Sequence, residues 1–371
     1  MKGNKVSASI FLVIALLFSS ISAYSFMAMQ ENEVIYEGPN KTEVRMLSDY
    51  NPSLKGTSGD TEVYVLTGDE PGGSLLVLGG THANEPAGFL TALLMIENMK
   101  VDAGTMYIIP RANNSAFTHN DPTEGSPSHY NIGSRTFRFG SRATNPIDQW
   151  PDPDVYIHAS SGQQLSGSET RNLNRAYPGR VKGTLTEKIA LGIKNMIVEE
   201  DITMTVDLHE ASPEYPVINA TVSHEKSMML ASIAVINMEL EGVPMGLEPS
   251  PMNLHGLTHR ELGDYTDTYP LLMETANPSQ GRLKGKTDAN LVVEGIDPIY
   301  VQAYKADKLF VKFDEKGHPI EERVGRHLVG IYEFAKALSD LEPENQVRFS
   351  NLPNFEEITT NGLEPYLDRD N

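Results

Sequence analysis

The chain has 371 residues, with 50 acidic side chains against 30 basic ones, a formal charge of −20, no cysteine and 39% hydrophobic residues. This length and composition supply a buried core and exclude wholesale disorder, and the acidic balance excludes an electrostatic nucleic-acid binder. Without cysteine there are no disulfides, thiolate metal sites or cysteine nucleophiles, so any metal must be held by His, Asp or Glu.

Lys2 and Lys5 precede an apolar run over residues 10–18, and Ser19, Ser20, Ser22, Ala23 and Ser25 follow it. This is the layout of a secretory signal peptide, expected over residues 1–25. The run is shorter than the roughly 20 apolar residues of a membrane span. The expectation is a secreted or periplasmic protein with no stable membrane span after cleavage; an uncleaved anchor is the alternative.

Residues 33–67 alternate polar and apolar positions between turn formers, which predicts strands and loops. Residues 74–78 read as a buried strand leaving through Gly79 and Gly80, and Pro86 opens a helical pattern carried by Phe89, Leu90, Leu93, Leu94 and Met95. A further strand is predicted at 105–109. Residues 113–167 are rich in Asn, Ser, Gly and Pro and form a long loop without clear period, a feature that is often functional. Leu185, Ile189, Ile193 and Ile197 mark a helix; a strand follows at 202–208, a helix at 226–240, a strand at 269–273 and an amphipathic helix at 324–338. Strands alternating with helices predict an α/β fold, a three-layer α/β/α arrangement with a mixed, largely parallel sheet. One domain is expected over 26–342, with a polar C-terminal tail over 343–371 that shows no core pattern.

Three segments follow predicted strands: Gly79-Gly80-Thr81-His82-Ala83-Asn84-Glu85-Pro86, Val206-Asp207-Leu208-His209-Glu210, and Leu271-Leu272-Met273-Glu274-Thr275-Ala276-Asn277-Pro278. Loops at the carboxyl ends of strands are where α/β sheets collect ligands. A tight turn lets His82 and Glu85 point to one centre, and His209 from another strand completes a two-histidine, one-carboxylate set. Such a set leaves an open position on a catalytic zinc ion. Glu274 is then placed to serve as general base.

These segments, together with Asn172-Leu173-Asn174-Arg175-Ala176-Tyr177-Pro178-Gly179, resemble the succinylglutamate desuccinylase/aspartoacylase family of zinc carboxypeptidase-like hydrolases over roughly residues 75–277. The resemblance implies a zinc carboxypeptidase-like fold, one Zn2+ per chain held by His82, Glu85 and His209, and Glu274 as base. It also implies that Asn174 and Arg175 bind a substrate carboxylate, which suits the planar fork of arginine. A further arginine to polarise the scissile carbonyl is expected among Arg135, Arg138, Arg142 and Arg171, with Arg138 and Arg171 carried forward as substrate-binding candidates. The chain departs from the family in having Asn172 where an acidic residue is usual, in its long polar loop, and in lacking an evident C-terminal β domain.

The reading is a zinc-dependent hydrolase of N-acyl amino acids or related small amides bearing a free carboxylate, with no nucleic-acid partner. The alternatives are a metallocarboxypeptidase acting on peptides or cell-wall fragments, and an inactive binding protein on the same scaffold. His255 and His259 are expected to be loop histidines near the cleft rim, because Pro251 and Gly256 oppose a regular helix. Residues 281–286 form a small basic patch beyond Glu274.

Overall fold

The computed structural model describes residues 2–120 and 126–367; Met1, residues 121–125 of the predicted loop and residues 368–371 of the predicted tail lie outside the described residues. The chain opens with a long helix, α1 (Lys2–Ala28). Strands β1 (Thr42–Met46), β2 (Glu62–Thr67) and β3 (Glu70–Leu78) lead to α2 (Pro86–Asn98) and β4 (Lys100–Ile109). Two short hairpins follow, β5 (His129–Ile132) with β6 (Arg135–Arg138) and β7 (Val155–Ile157) with β8 (Gln164–Ser166). Next come α3 (Leu185–Glu199), β9 (Met204–Ala211), β10 (Ala220–Ser223), α4 (Met228–Leu240), β11 (Gly246–Pro249), α5 (Thr258–Tyr265) and β12 (Tyr269–Ala276). The chain closes with α6 (Ala289–Glu294), α7 (Pro298–Lys305), α8 (Ile320–Leu341), β13 (Arg348–Ser350), α9 (Phe355–Asn361) and α10 (Glu364–Leu367).

Nine strands form one mixed sheet in the order β1-β2-β4-β3-β9-β12-β10-β11, with β13 also paired to β4. The four central strands β4, β3, β9 and β12 run parallel. Pairing turns antiparallel at β2–β4, β1–β2 and β12–β10. Side chains alternate along each strand, so each face of the sheet has its own core. Leu75, Val77, Val206, Leu208, Leu271 and Met273 pack under α2, α4 and α8. Leu76, Leu78, Tyr107 and Ile109 face Ile189, Ile193 and Met196 of α3. The architecture is the three-layer α/β/α sandwich expected from the sequence.

Local chemistry sets the helix starts. Pro86 occupies the first turn of α2, where its missing N–H costs nothing. Thr184 and Glu187 form a capping box at α3. Gly88 lets α2 lie close on β9: a Cβ there would come within 2.5 Å of the Leu208 carbonyl.

Two sequence expectations change here. The stretch after residue 342 is not a free tail. Residues 348–350 add a strand to β4, and Val347, Phe349, Ile358, Leu363 and Leu367 are buried in the larger core. These apolar residues have no helical or strand period because they reach the core from three short elements and their connections. The N-terminal apolar segment is also longer than residues 10–18. Residues 4–28 of α1 are largely exposed and, with mean hydropathy 2.2, are long and apolar enough to cross a membrane by length and composition. Scattered serines do not interrupt its apolar character. The helix is equally compatible with a signal peptide.

The chain just beyond α1 is pinned to the domain. Met29 is buried, and its carbonyl accepts from Arg138 Nη1 at 3.1 Å. The Glu33 carboxylate pairs with Arg138 at 2.8 Å and Arg111 at 3.2 Å. These cations hold Glu33 below the usual carboxylate range even though burial pushes it up.

Candidate metal centre

The register of the sheet places the site. Leu272 of β12 pairs with Asp207 of β9, and Glu274 pairs with His209, so all four side chains project from one face near the carboxyl ends of the strands. From β3 the chain turns through Gly80, whose φ of +64° and contact with Phe117 exclude a side chain. A turn closed by Glu85 N donating to the His82 carbonyl at 3.1 Å then carries both ligand candidates up to α2.

His82 Nδ1, His209 Nδ1 and the Glu85 carboxylate converge. His82 Nδ1 lies 2.8 Å from Glu85 Oε1, His209 Nδ1 lies 3.0 Å from Glu85 Oε2, and the two Nδ1 atoms are 3.2 Å apart. All three side chains are at most 2% exposed.

The outer partners define the protons. Asn172 Nδ2 donates to Glu169 and its Oδ1 accepts from Asn174 N, so the Oδ1 that lies 2.8 Å from His82 Nε2 is an acceptor and that nitrogen carries the hydrogen. His209 Nε2 likewise donates to Asp207 Oδ2 at 2.9 Å. Both Nδ1 atoms therefore turn lone pairs toward a carboxylate, an arrangement that requires either a proton or a cation between them. The residues fit a zinc ion as a two-histidine, one-carboxylate set with oriented outer partners. With a proton in that place, Asp207 and Glu85 more than offset burial and hold His209 well above the usual histidine range. His82 is pushed down by burial and by Arg142.

Glu274 is half-buried beside this cluster, and its Oε2 has neither solvent contact nor a hydrogen-bond partner. Burial, opposed by His209 and Arg142 and reinforced by Glu85, pushes its carboxyl up to about 8. Glu274, His82, Arg142, Asn174 and Arg175 line a cavity of about 540 Å3. Asn174 Oδ1 accepts from Thr258 N and Oγ1, which leaves its Nδ2 to face the cavity. Glu169 ties the two arginines together, at 3.3 Å to Arg142 Nε and 3.2 Å to Arg175 Nε. Arg142 Nη1 also donates to Glu85 Oε1 at 3.1 Å.

Two of the substrate-binding candidates lie elsewhere. Arg138 is 2% exposed, spent on Glu33 and the Met29 carbonyl and stacked over Phe117. Arg171 pairs with Asp152 at 2.8 Å and donates to the Thr144 carbonyl, bracing the long loop. Arg135 is spent on Glu97 and the carbonyls of Val34 and Leu367. Of the four arginines considered, Arg142 is the one at the cavity. Only tertiary packing separates them, since all four lie in or near one irregular stretch. Asp207 carried a legible signal: it sits two residues before His209 on a strand, hence on the same face. Glu169 and Glu210 carried none.

The histidines at 255 and 259 divide. His255 lies in a loop, whereas His259 is buried on α5 with its Nδ1 2.8 Å from Ser250 Oγ, and burial pushes it down to about 3. His158, His255 and Glu261 also cluster, but with their own protons. His158 Nε2 donates to the Tyr177 carbonyl at 2.7 Å, and His255 Nδ1 and Gly256 N both donate to Glu261 Oε1 at 2.9 Å. That cluster is a latch between the long loop and the cavity wall. Of the basic patch over 281–286, only Gly281 reaches the cavity.

No protein-family model matches the sequence, and no curated protein matches it. Among solved structures, the chain is similar to a succinylglutamate desuccinylase from Silicibacter sp. TM1040 at 18% identity, covering 60% of this chain and 55% of that one with a TM-score of 0.38. It is similar to a succinylglutamate desuccinylase/aspartoacylase from Rhodobacter sphaeroides at 14% identity, covering 76% and 58% with a TM-score of 0.41. A metallo-carboxypeptidase from Burkholderia cenocepacia matches at 11% identity, covering 86% and 69% with a TM-score of 0.49. The chain thus spans little more than half the length of the first two. These structural neighbours comprise the family that the sequence motifs resemble, the succinylglutamate desuccinylases and aspartoacylases, together with a metallo-carboxypeptidase.

Proposed function

We propose that this protein is an exported, zinc-dependent amidohydrolase whose substrate carries a free carboxylate. The observation that carries the reading is the convergence of three lone-pair donors, His82 Nδ1, His209 Nδ1 and Glu85, beside a carboxylate with an unpartnered oxygen on a cavity wall. Zinc held by those donors supplies a Lewis acid that lowers the pKa of water and polarises a carbonyl. Glu274 takes the proton of the attacking water and passes it to the departing nitrogen. Arg142 presents its guanidinium where negative charge develops on the carbonyl oxygen. Arg175 and Asn174 Nδ2 anchor the substrate carboxylate and orient the amide. Export rests on Lys2 and Lys5, the apolar run over residues 10–18 and the small residues that follow that run.

The reading is tested by metal analysis and a panel of N-acyl amino acids and dipeptides, assayed before and after chelation. Hydrolysis that disappears with chelator and returns with zinc is the expected result; chelator-resistant hydrolysis, or none across the panel, would reject it. Zinc affinity should also rise with pH. The metal must displace the proton held by His209, whose pKa is raised, so affinity weakens as pH falls and tightens up to about tenfold per unit as it rises. Competition with a chromophoric chelator at pH 6, 7 and 8 measures this, and a flat profile contradicts the proton assignment.

A further inference from the structure

The sheet face that carries the metal-donor cluster extends across two further strands along the cavity wall. Val222 of β10 pairs in register with Leu272 of β12 on one side and with Glu248 of β11 on the other. Register partners share a face, so Leu272, Val222 and Glu248 form a row on the face that carries Glu274 and His209. All three residues of the row line the cavity. Leu272 and Val222 are buried, yet belong to neither of the two large cores. Their apolar surface is turned to the cavity, and Leu254 and Val217 add to it.

Glu248 ends this row. It is exposed, and among the described residues its side chain has no ion pair or hydrogen bond. The other wall carboxylates are committed: Glu210 is paired with Arg323, and Glu274 stands beside the metal donors. Strand spacing puts the Glu248 Cα two strands across and two residues along from that of Glu274, about 12 Å away. No lysine lines the cavity. Its two arginines are already engaged by Glu85 and Glu169, leaving no spare cation for a second substrate carboxylate.

We infer that Glu248 selects the substrate, and that the group on the carboxylate-bearing side of the scissile amide is a long cationic side chain of the lysine or arginine kind. The inference rests on the proposed amidohydrolase reading and narrows it. A lysine stem lies along Leu272 and Val222 while its ammonium meets the Glu248 carboxylate, the amphipathic match such side chains prefer. A dicarboxylic product such as glutamate would instead put its second negative charge against Glu248. The substrate class is therefore a peptide or acyl amide ending in a basic amino acid, not an N-acyl dicarboxylic amino acid.

The test uses benzoylglycyl-lysine, benzoylglycyl-norleucine and benzoylglycyl-glutamate with the full zinc-loaded chain. Turnover of the three is compared, and their equilibrium binding is measured on the Glu274→Gln protein, where hydrolysis is slow on the timescale of binding. Lysine should be preferred over norleucine by about tenfold, equivalent to about 1.4 kcal/mol, with glutamate weakest. Glu248→Gln should bring the lysine-to-norleucine ratio near one, and Glu248→Lys should invert the order in favour of glutamate. Equal binding of lysine and norleucine peptides by the parent, or a preference that Glu248→Gln leaves unchanged, overturns the inference. Failure of all three to bind overturns it as well. Binding with lysine preference but no turnover rejects the amidohydrolase reading while upholding the role of Glu248.

Discussion

Glu274→Gln should lower turnover by about 10²–10⁴-fold while zinc content and thermal stability should stay near those of the parent. The amide is isosteric and keeps the register pairing of β12 with His209, but it cannot accept a proton. The side chain is not a metal donor in this geometry: the converging ligand atoms belong to His82, Glu85 and His209. Its own Oε2 lacks a hydrogen-bond partner, so the substitution breaks no existing bond at that atom. A general base works as the ionised carboxylate, so kcat/KM of the parent should fall as pH drops through the Glu274 pKa. Burial sets that value at about 8 for the protein alone, and a divalent cation bound beside it would pull it lower. The acid limb of the profile should therefore lie below pH 8 and disappear in the residual activity of the variant. Metal content by mass spectrometry, a melting curve and kcat/KM against pH decide the matter. Turnover within threefold of the parent would remove Glu274 from the chemistry.

Arg323→Met should cost about 3–5 kcal/mol of folding stability. Arg323 lies on α8 with no exposure, and its Nη1 sits 2.7 Å from Glu210 Oε1, itself fully buried. Glu210 Oε2 accepts from Ala87 N in the first turn of α2 and from Asn277 Nδ2. One ion pair thus joins α8, β9, α2 and the chain beyond β12. Removing the cation leaves a carboxylate in the core with no charge partner. Burial already pushes Glu210 above the usual carboxylate range, with Arg323 opposing it. Losing Arg323 raises that pKa further. A carboxyl whose folded pKa exceeds its unfolded value is tolerated when protonated, so the deficit should be small at low pH and grow as pH rises. Urea denaturation at pH 5 and pH 8 measures this. Arg323→Met combined with Glu210→Gln should recover part of the loss, because the stranded charge is gone. A cost below about 1 kcal/mol at pH 8 would show that the pair is dispensable. The consequence reaches the candidate metal donors, since Glu210 N donates to Glu85 Oε2 at 3.0 Å.

Much of the fold was legible along the chain because its buried strands and amphipathic helices carry short-range periods. Residues 74–78, 105–109 and 269–273 lie within central strands of the sheet, the strand expected at 202–208 begins two residues later at Met204, and Pro86 does open a helix. The edge elements escaped. β10 and β11 are four residues each and lack a distinctive alternation, and β13 forms because β4 is long enough to pair beyond β2. The error at the C-terminus has the same origin: Phe349, Ile358 and Leu367 are core residues supplied singly by short elements, so no window of sequence shows a period.

Sequence by itself determined the composition limits, the α/β class and the choice of His82, Glu85 and His209, which converge as candidate metal donors. A ligand pair on a turn and a histidine at a strand end are local features with local spacing. Only the tertiary structure decided which arginine meets the cavity, because Arg135, Arg138, Arg142 and Arg171 differ in their partners rather than in their neighbours along the chain. It also decided the tautomers of His82 and His209, through Asn172 and Asp207, and it brought Glu248 onto the same face as Glu274. The division is physical. Backbone periodicity is written over a few consecutive residues, whereas protonation, charge pairing and cavity shape depend on side chains that meet only after the sheet has closed its register.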